Sequence, residues 1–173
     1  MNVSLGGRSE STDVNSLNEN MFESRPGELL QKVGRDEVPG GTERIVLAED
    51  DPMMRKTIQH LLMELGYHVE AYTSGPEVLA AMSRESHRIE LLLTDHEMPG
   101  LTGYELAHQF RAEHPGVRVL LASGRSKESI FPEGRNWPPF LRKPYTLETL
   151  ARRLRDVIDE PAPDQYWTCN SRR

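Results

Sequence analysis

At 173 residues and a formal net charge of -6, the chain has room for one domain with a real core plus tails, and no basic surplus to neutralise nucleic-acid phosphates. Its single cysteine, Cys169, excludes an internal disulfide and suits a reducing compartment. No apolar run approaches the roughly 18 residues of a membrane span and no signal-peptide core opens the chain, so a soluble, cytoplasmic protein without membrane contact is expected.

Residues 1–42 are expected to be a disordered extension or linker. Ser4, Ser9, Ser11, Asn15, Asn18 and Asn20 dilute a few apolar residues, and such a stretch buries too little to offset its ordering entropy. Pro39-Gly40-Gly41 breaks the chain just before the first apolar run. Residues 43–160 then read as the folded domain, and 161–173 as a loose polar tail carrying Trp167 and Cys169.

Ile45-Val46-Leu47-Ala48 is a short apolar run that reads as a strand buried on both faces. It ends in Glu49-Asp50-Asp51. Pro52 is well placed at the first position of a helix whose apolar face is Met54, Ile58, Leu61, Leu62 and Leu65, with Gly66 as its stop. A weak strand follows from His68 to Tyr72. Ser74 caps a second helix, with Val78, Leu79 and Met82 on one face. Ile89 to Thr94 is the third strand. Asp95 stands where it runs out, and Pro99-Gly100 turns the chain. Thr102 with Glu105 spells a capping box for a third helix, continued by Leu106 and Phe110. Val117 to Ala122 is the fourth strand, ending in Ser123-Gly124. Only a turn or two of helix fits over 126–131, because Pro132, Gly134, Pro138 and Pro139 forbid more. Phe140-Leu141-Arg142 is the fifth strand, closed by Lys143-Pro144. Thr146 caps a last helix with Leu147, Leu150, Ala151, Leu154, Val157 and Ile158 facing the core. Arg152, Arg153 and Arg155 read as its solvated face.

Strand and helix alternate five times with short connections. The fold class is therefore α/β, a (βα)5 doubly wound sheet of five parallel strands with helices on both faces and a short or irregular fourth helix. Ligands of such sheets bind beyond the carboxyl ends of the strands. Those ends carry Glu49 and Asp50, Asp95, Ser123 and Lys143. Three carboxylates within about 5 Å repel by roughly 3 kcal/mol per pair at an effective dielectric near 20, which is tolerable if they hold a cation. Two or three carboxylates with open water positions suit Mg2+. A carboxylate also accepts a phosphoryl group as an aspartyl phosphate. Lys143 would add positive charge and Ser123 a hydroxyl donor. No side chain reads as a general base for a separate substrate. The nucleotide-loop, metalloprotease and nucleophile-elbow motifs are missing. His96, beside the site, reads as a surface loop residue.

On these residues the stretch from Arg44 to Asp159 resembles the receiver domain of bacterial two-component signalling, the CheY-like, flavodoxin-like fold. The motifs are Val46-Leu47-Ala48-Glu49-Asp50-Asp51-Pro52, Leu93-Thr94-Asp95-His96-Glu97-Met98-Pro99-Gly100, Leu121-Ala122-Ser123-Gly124 and Lys143-Pro144, in that order. With its polar linker before Glu43-Arg44-Ile45-Val46-Leu47, the chain is similar to receivers at the carboxyl end of hybrid histidine kinases. The resemblance implies that Asp95 is the phosphoacceptor and that Glu49, Asp50 and Asp95 hold Mg2+ with the main-chain carbonyl of Glu97. It implies that Ser123 is the switch hydroxyl, that Lys143 contacts a phosphoryl oxygen, that the bond to Pro144 is cis, and that Phe140 is the aromatic switch. Glu49 departs from the commoner Asp, and Phe140 lacks a hydroxyl. Glu97 and Arg125 flank the pocket, where their opposite charges are expected to pair. The irregular fourth helix tells against a family-like dimer through the fourth helix, fifth strand and fifth helix, and leaves the oligomeric state open.

The implied function is a phosphoacceptor switch. It takes a phosphoryl group from a histidine kinase or phosphotransfer protein and signals by binding another protein, with no output domain and no nucleic-acid partner. It would catalyse only its own phosphorylation and dephosphorylation. The alternative is a phosphorylation-independent pseudo-receiver serving as a protein-binding module. A small aspartate-nucleophile phosphatase would use Glu97 as its second carboxylate, but the flanking pattern is wrong for it.

Overall fold

Five short apolar runs become five parallel strands: β1 (Arg44–Ala48), β2 (His68–Tyr72), β3 (Leu91–Asp95), β4 (Arg118–Ser123) and β5 (Phe140–Arg142), in the spatial order β2-β1-β3-β4-β5. The computed structural model describes residues 38–83, 88–131 and 137–161. The expected extension up to residue 37, the breakers Pro132 and Gly134, and the tail from residue 162 lie outside the described residues. Between the strands run α1 (Pro52–Glu64), α2 (Gly75–Met82), α3 (Gly103–Glu113) and the single turn α4 (Lys127–Ile130), with α5 (Leu147–Asp159) after β5. Among the described residues no helix is long and apolar enough to cross a membrane.

Alternate residues of a strand face opposite sides of the sheet. Ile45, Leu47, Leu91, Leu93 and Leu120 therefore pack against Ile58 and Leu62 of α1 and Leu150 and Leu154 of α5. Val46, Leu92 and Val119 pack on the other side against Val78 and Met82 of α2 and Leu106 and Phe110 of α3. Local sequence sets the helix starts. The Asp51 side chain accepts from the Met54 N–H at 2.7 Å, Ser74 and Thr146 cap α2 and α5, and Thr102 with Glu105 completes the capping box of α3. The α1 stop needs Gly66, whose φ of 97° is strained for any side chain.

The fourth helix is short, as the prolines require. Rings pack beside it: buried Phe131 stacks on Trp137 at 4.4 Å between centroids, and Tyr104 meets both rings edge-on at 5.9 and 5.8 Å.

The lead into β1 is packed: Val38 is buried and the Gly41 N–H donates to the Leu65 carbonyl at 3.1 Å. The approach needs glycine: a Cβ on Gly40 would stand 2.2 Å from the Leu65 oxygen. Against expectation, Arg155 is not part of a solvated face. It donates to Glu43 Oε1 at 2.7 Å, pairs with Asp159, and ties the end of α5 to the lead into β1. Arg152 and Arg153 do face solvent, near Glu148 and Asp156.

Candidate functional site

The strand order reverses direction between β1 and β3, and that switch point is where open parallel sheets form a crevice. Register sets the residues there. Ala48 lies opposite Thr94, so Glu49 and Asp95 leave their strands at one level; Asp95 lies opposite Ala122, and Ser123 opposite Arg142. Each later strand thus delivers its polar residue one step further on, ending with Lys143.

Glu49, Asp95 and Ser123 are buried polar residues, at 2%, 7% and 0% exposure. Such groups require partners. Lys143 Nζ supplies them, donating to Asp95 Oδ2 at 2.8 Å and Glu49 Oε2 at 2.9 Å. Burial works against the Lys143 charge, but the hydrogen bonds to Asp95 and Glu49 outweigh it and hold the ammonium above the ordinary lysine range. Burial pushes the Glu49 carboxyl up; Lys143 pulls it down, and the charge of Asp95 adds to the rise. The Glu97 N–H donates to Asp95 Oδ1 at 3.3 Å. The peptide bond between Lys143 and Pro144 is cis.

One carboxylate oxygen each from Glu49, Asp50 and Asp95 lie within 4.8 Å of one another. Three hard oxygen donors this close, with Asp50 on the solvent side, fit a divalent cation that retains several waters. Lys143 neutralises only part of their charge.

Glu97 and Arg125 do not pair as expected. The Glu97 carboxylate instead accepts from Ser123 Oγ at 3.1 Å and the Gly124 N–H at 3.3 Å, while Arg125 donates to the Ser129 carbonyl at 3.3 Å. The turn after β4 presents its own hydroxyl and amide to Glu97, and the turn of α4 offers Arg125 a nearer acceptor. Ser123 Oγ also accepts from the Arg125 N–H at 2.9 Å. Phe140 stands apart from the carboxylates, half-buried, its ring 6.2 Å from that of Phe131. His96 is half-buried rather than a plain surface residue, and burial lowers its pKa.

Two residues escaped the sequence reading. Arg55, one turn into α1, donates to the main-chain carbonyls of Glu49 and Asp50 at 2.8 and 3.1 Å and braces the acidic loop. The only hint was an arginine one turn after acidic residues. Gly103, at the start of α3, lies against the Asp95 main chain, where a Cβ would stand 2.1 Å from the Asp95 carbonyl oxygen. Gly103→Ala is therefore expected to push α3 off the end of β3 and cost about 1–3 kcal/mol, read as a lower urea midpoint at unchanged slope.

Residues 45–155 match the family model described as the response regulator receiver domain. CpdR of Brucella abortus, a response regulator receiver protein, is 30% identical over 119 residues, covering 67% of this chain and 97% of that protein. The sensor kinase CckA of the same organism is 27% identical over 125 residues; the match covers 69% of this chain and only 13% of the kinase. Among solved structures, the receiver domain of a Pseudomonas aeruginosa sensor histidine kinase, with a magnesium ion coordinated in its active-site cleft, superposes with a TM-score of 0.59 at 26% identity, covering 69% of this chain and 99% of the other.

Proposed function

The chain belongs to the response regulator receiver family, and from that premise we propose that Asp95 is the phosphoacceptor of a two-component signalling switch. The observation that carries this reading is the Lys143 ammonium bridging Asp95 and Glu49 at the β1/β3 crevice. A phosphohistidine on a histidine kinase or phosphotransfer protein is the donor. An Asp95 carboxylate oxygen attacks phosphorus, the phosphorus–nitrogen bond of the donor breaks, and its electron pair returns to the imidazole. Lys143 is placed to turn from the carboxylates to a phosphoryl oxygen, keeping its charge in the same buried spot. Glu49, Asp50 and Asp95, with the main-chain carbonyl of Glu97, are the residues that would hold Mg2+. When bound, the ion neutralises charge on the transferring group.

Ser123 is the switch. Its hydroxyl is held by Glu97 before phosphorylation, and engaging the phosphoryl group requires leaving that carboxylate. The modification then biases a two-state equilibrium of the loops around Ser123 and Phe140, which a downstream protein reads. The protein acts as a cytoplasmic signalling module through protein contacts, and its only chemistry is on its own aspartate.

Purified protein incubated with Mg2+ and acetyl phosphate is expected to gain one phosphoryl group by intact mass, and none when a chelator replaces Mg2+. Absence of both this addition and Mg2+-dependent beryllofluoride binding would overturn the proposal. Glu97→Ala removes one hydrogen bond that holds Ser123 away, a change worth about 1 kcal/mol. Beryllofluoride is therefore expected to bind about fivefold more tightly to this variant, as measured by titration in Mg2+.

A further inference from the structure

Beside the single turn of α4, a cavity of about 410 Å³ lies between the start of β5 and the C-terminal half of α5. Its lining includes none of Glu49, Asp50, Asp95, Ser123 and Lys143, so it is separate from the acidic crevice. The volume is that of a small-molecule site. Trp137 and Phe140 give it an aromatic wall. Both rings pack on buried Phe131, at 4.4 and 6.2 Å between centroids, so the wall is fixed before a ligand arrives.

Arg111, Arg118, Lys127 and Arg153 also line the cavity. Glu160 is the one acidic residue among the described lining residues, although the whole chain carries a net charge of -6. Arg118 donates from Nε and Nη2 to the Glu160 main-chain carbonyl at 3.2 and 2.9 Å, which fixes its guanidinium without cancelling the charge. Arg153 stands 3.9 Å from Asp156 Oδ2, an exposed contact that solvent screens. Lys127 is exposed. The surplus charge calls for an anion, and three of the four cations are arginines, whose planar fork matches phosphate oxygens. The wall calls for a planar ring, because a base stacked on an aromatic side chain gains buried area and dispersion. Phosphate alone leaves the wall bare, and a neutral ring leaves the cations bare. A ligand that carries both, with its charge spread over more than one group, meets the whole lining.

We propose that this cavity binds a purine nucleotide with two or more phosphates. The base lies against the Trp137–Phe140 wall and the phosphates face Arg118, Lys127 and Arg153. The site stands apart from the phosphoacceptor, so it does not depend on the chemistry at Asp95.

The test titrates the full chain with ADP and with GDP by calorimetry, in a chelator so that no metal bridges a nucleotide to the acidic crevice. One nucleotide per chain is expected. Adenosine, which lacks the charge, and pyrophosphate, which lacks the ring, are each expected to bind at least about tenfold more weakly than the tighter nucleotide. Lys127→Gln with Arg153→Gln removes two cations whose side chains reach solvent. It is expected to weaken the nucleotide at least about tenfold while the urea midpoint stays unchanged. Absence of ADP and GDP binding at millimolar concentration overturns the proposal and leaves the cavity to another class of ligand. Pyrophosphate binding as tightly as the nucleotide also overturns it, because the wall then contributes nothing. So does nucleotide binding that survives the double substitution, because the cavity is then not its site.

Discussion

Asp95→Asn is expected to take no phosphoryl group from acetyl phosphate under conditions where the parent protein takes one. The substitution is nearly isosteric, so the shape of the site stays the same. An amide oxygen carries no formal charge and is a poor nucleophile, and the covalent step has no other starting point. Glu49 keeps Lys143 as its partner at 2.9 Å, so the variant is expected to fold. Intact mass reads the loss directly. A phosphoryl addition persisting on Asp95→Asn and mapping to Glu49 or Asp50 would falsify the assignment. Magnesium affinity is expected to fall in the same variant, since one of the three clustered carboxylates is gone.

Lys143→Ala has the largest expected effect on stability. It removes the hydrogen-bonded cation from two carboxylates that are 2% and 7% exposed. Breaking a buried pair from one side costs about 3–5 kcal/mol, because the remaining charge is left uncompensated. The Lys143 side chain is itself 19% exposed, so a loss near 3 kcal/mol is expected, measured by urea unfolding in the presence of a chelator. Added Mg2+ is expected to recover part of it by binding only the folded state.

The loss also depends on pH. With the cation gone, nothing offsets the burial that raises the Glu49 pKa, so the folded state holds the Glu49 proton more tightly than the unfolded one. Stability of the variant therefore rises as pH falls, and its deficit against the parent narrows from pH 7 toward the ordinary carboxylate value of 4.5. At the alkaline end the sign is opposite. The folded-state pKa of Lys143 lies above its ordinary value of 10.5. The parent therefore keeps the full contribution of the pair below that pH and loses it as pH rises through the folded-state pKa, a limb the variant lacks. A deficit that does not change between pH 4.5 and 7 would mean that the lysine acts by packing rather than by charge.

Much of the site was legible because its residues sit where strands end, and strand ends show in the sequence. A buried parallel strand needs an uninterrupted apolar run, so the first polar residue after Ile45–Ala48 or Leu91–Thr94 marks the edge of the sheet. Once five such runs alternate with helices, connection handedness and sheet order bring those edges together. Arg55 was hidden because its acceptors are main-chain carbonyls, which every residue carries. Gly103 was hidden because its role is an approach of two backbones, visible only when α3 is laid on β3.

The five strands, the capped starts of α2, α3 and α5, the proline-limited α4 and the acidic strand ends are all readable from the order of residues alone. Each of these follows from apolar periodicity or from hydrogen bonds between residues a few positions apart. Which partner each long side chain takes is set by the packed fold. Glu97 finds Ser123 and Gly124 rather than Arg125, and Arg155 finds Glu43 across a separation of 112 residues. The packed fold also decided that Val38 is buried and that Phe131 and Trp137 stack beside the short helix. A flexible charged or aromatic side chain has several chemically equal partners in the sequence, and the packed distances between elements select among them.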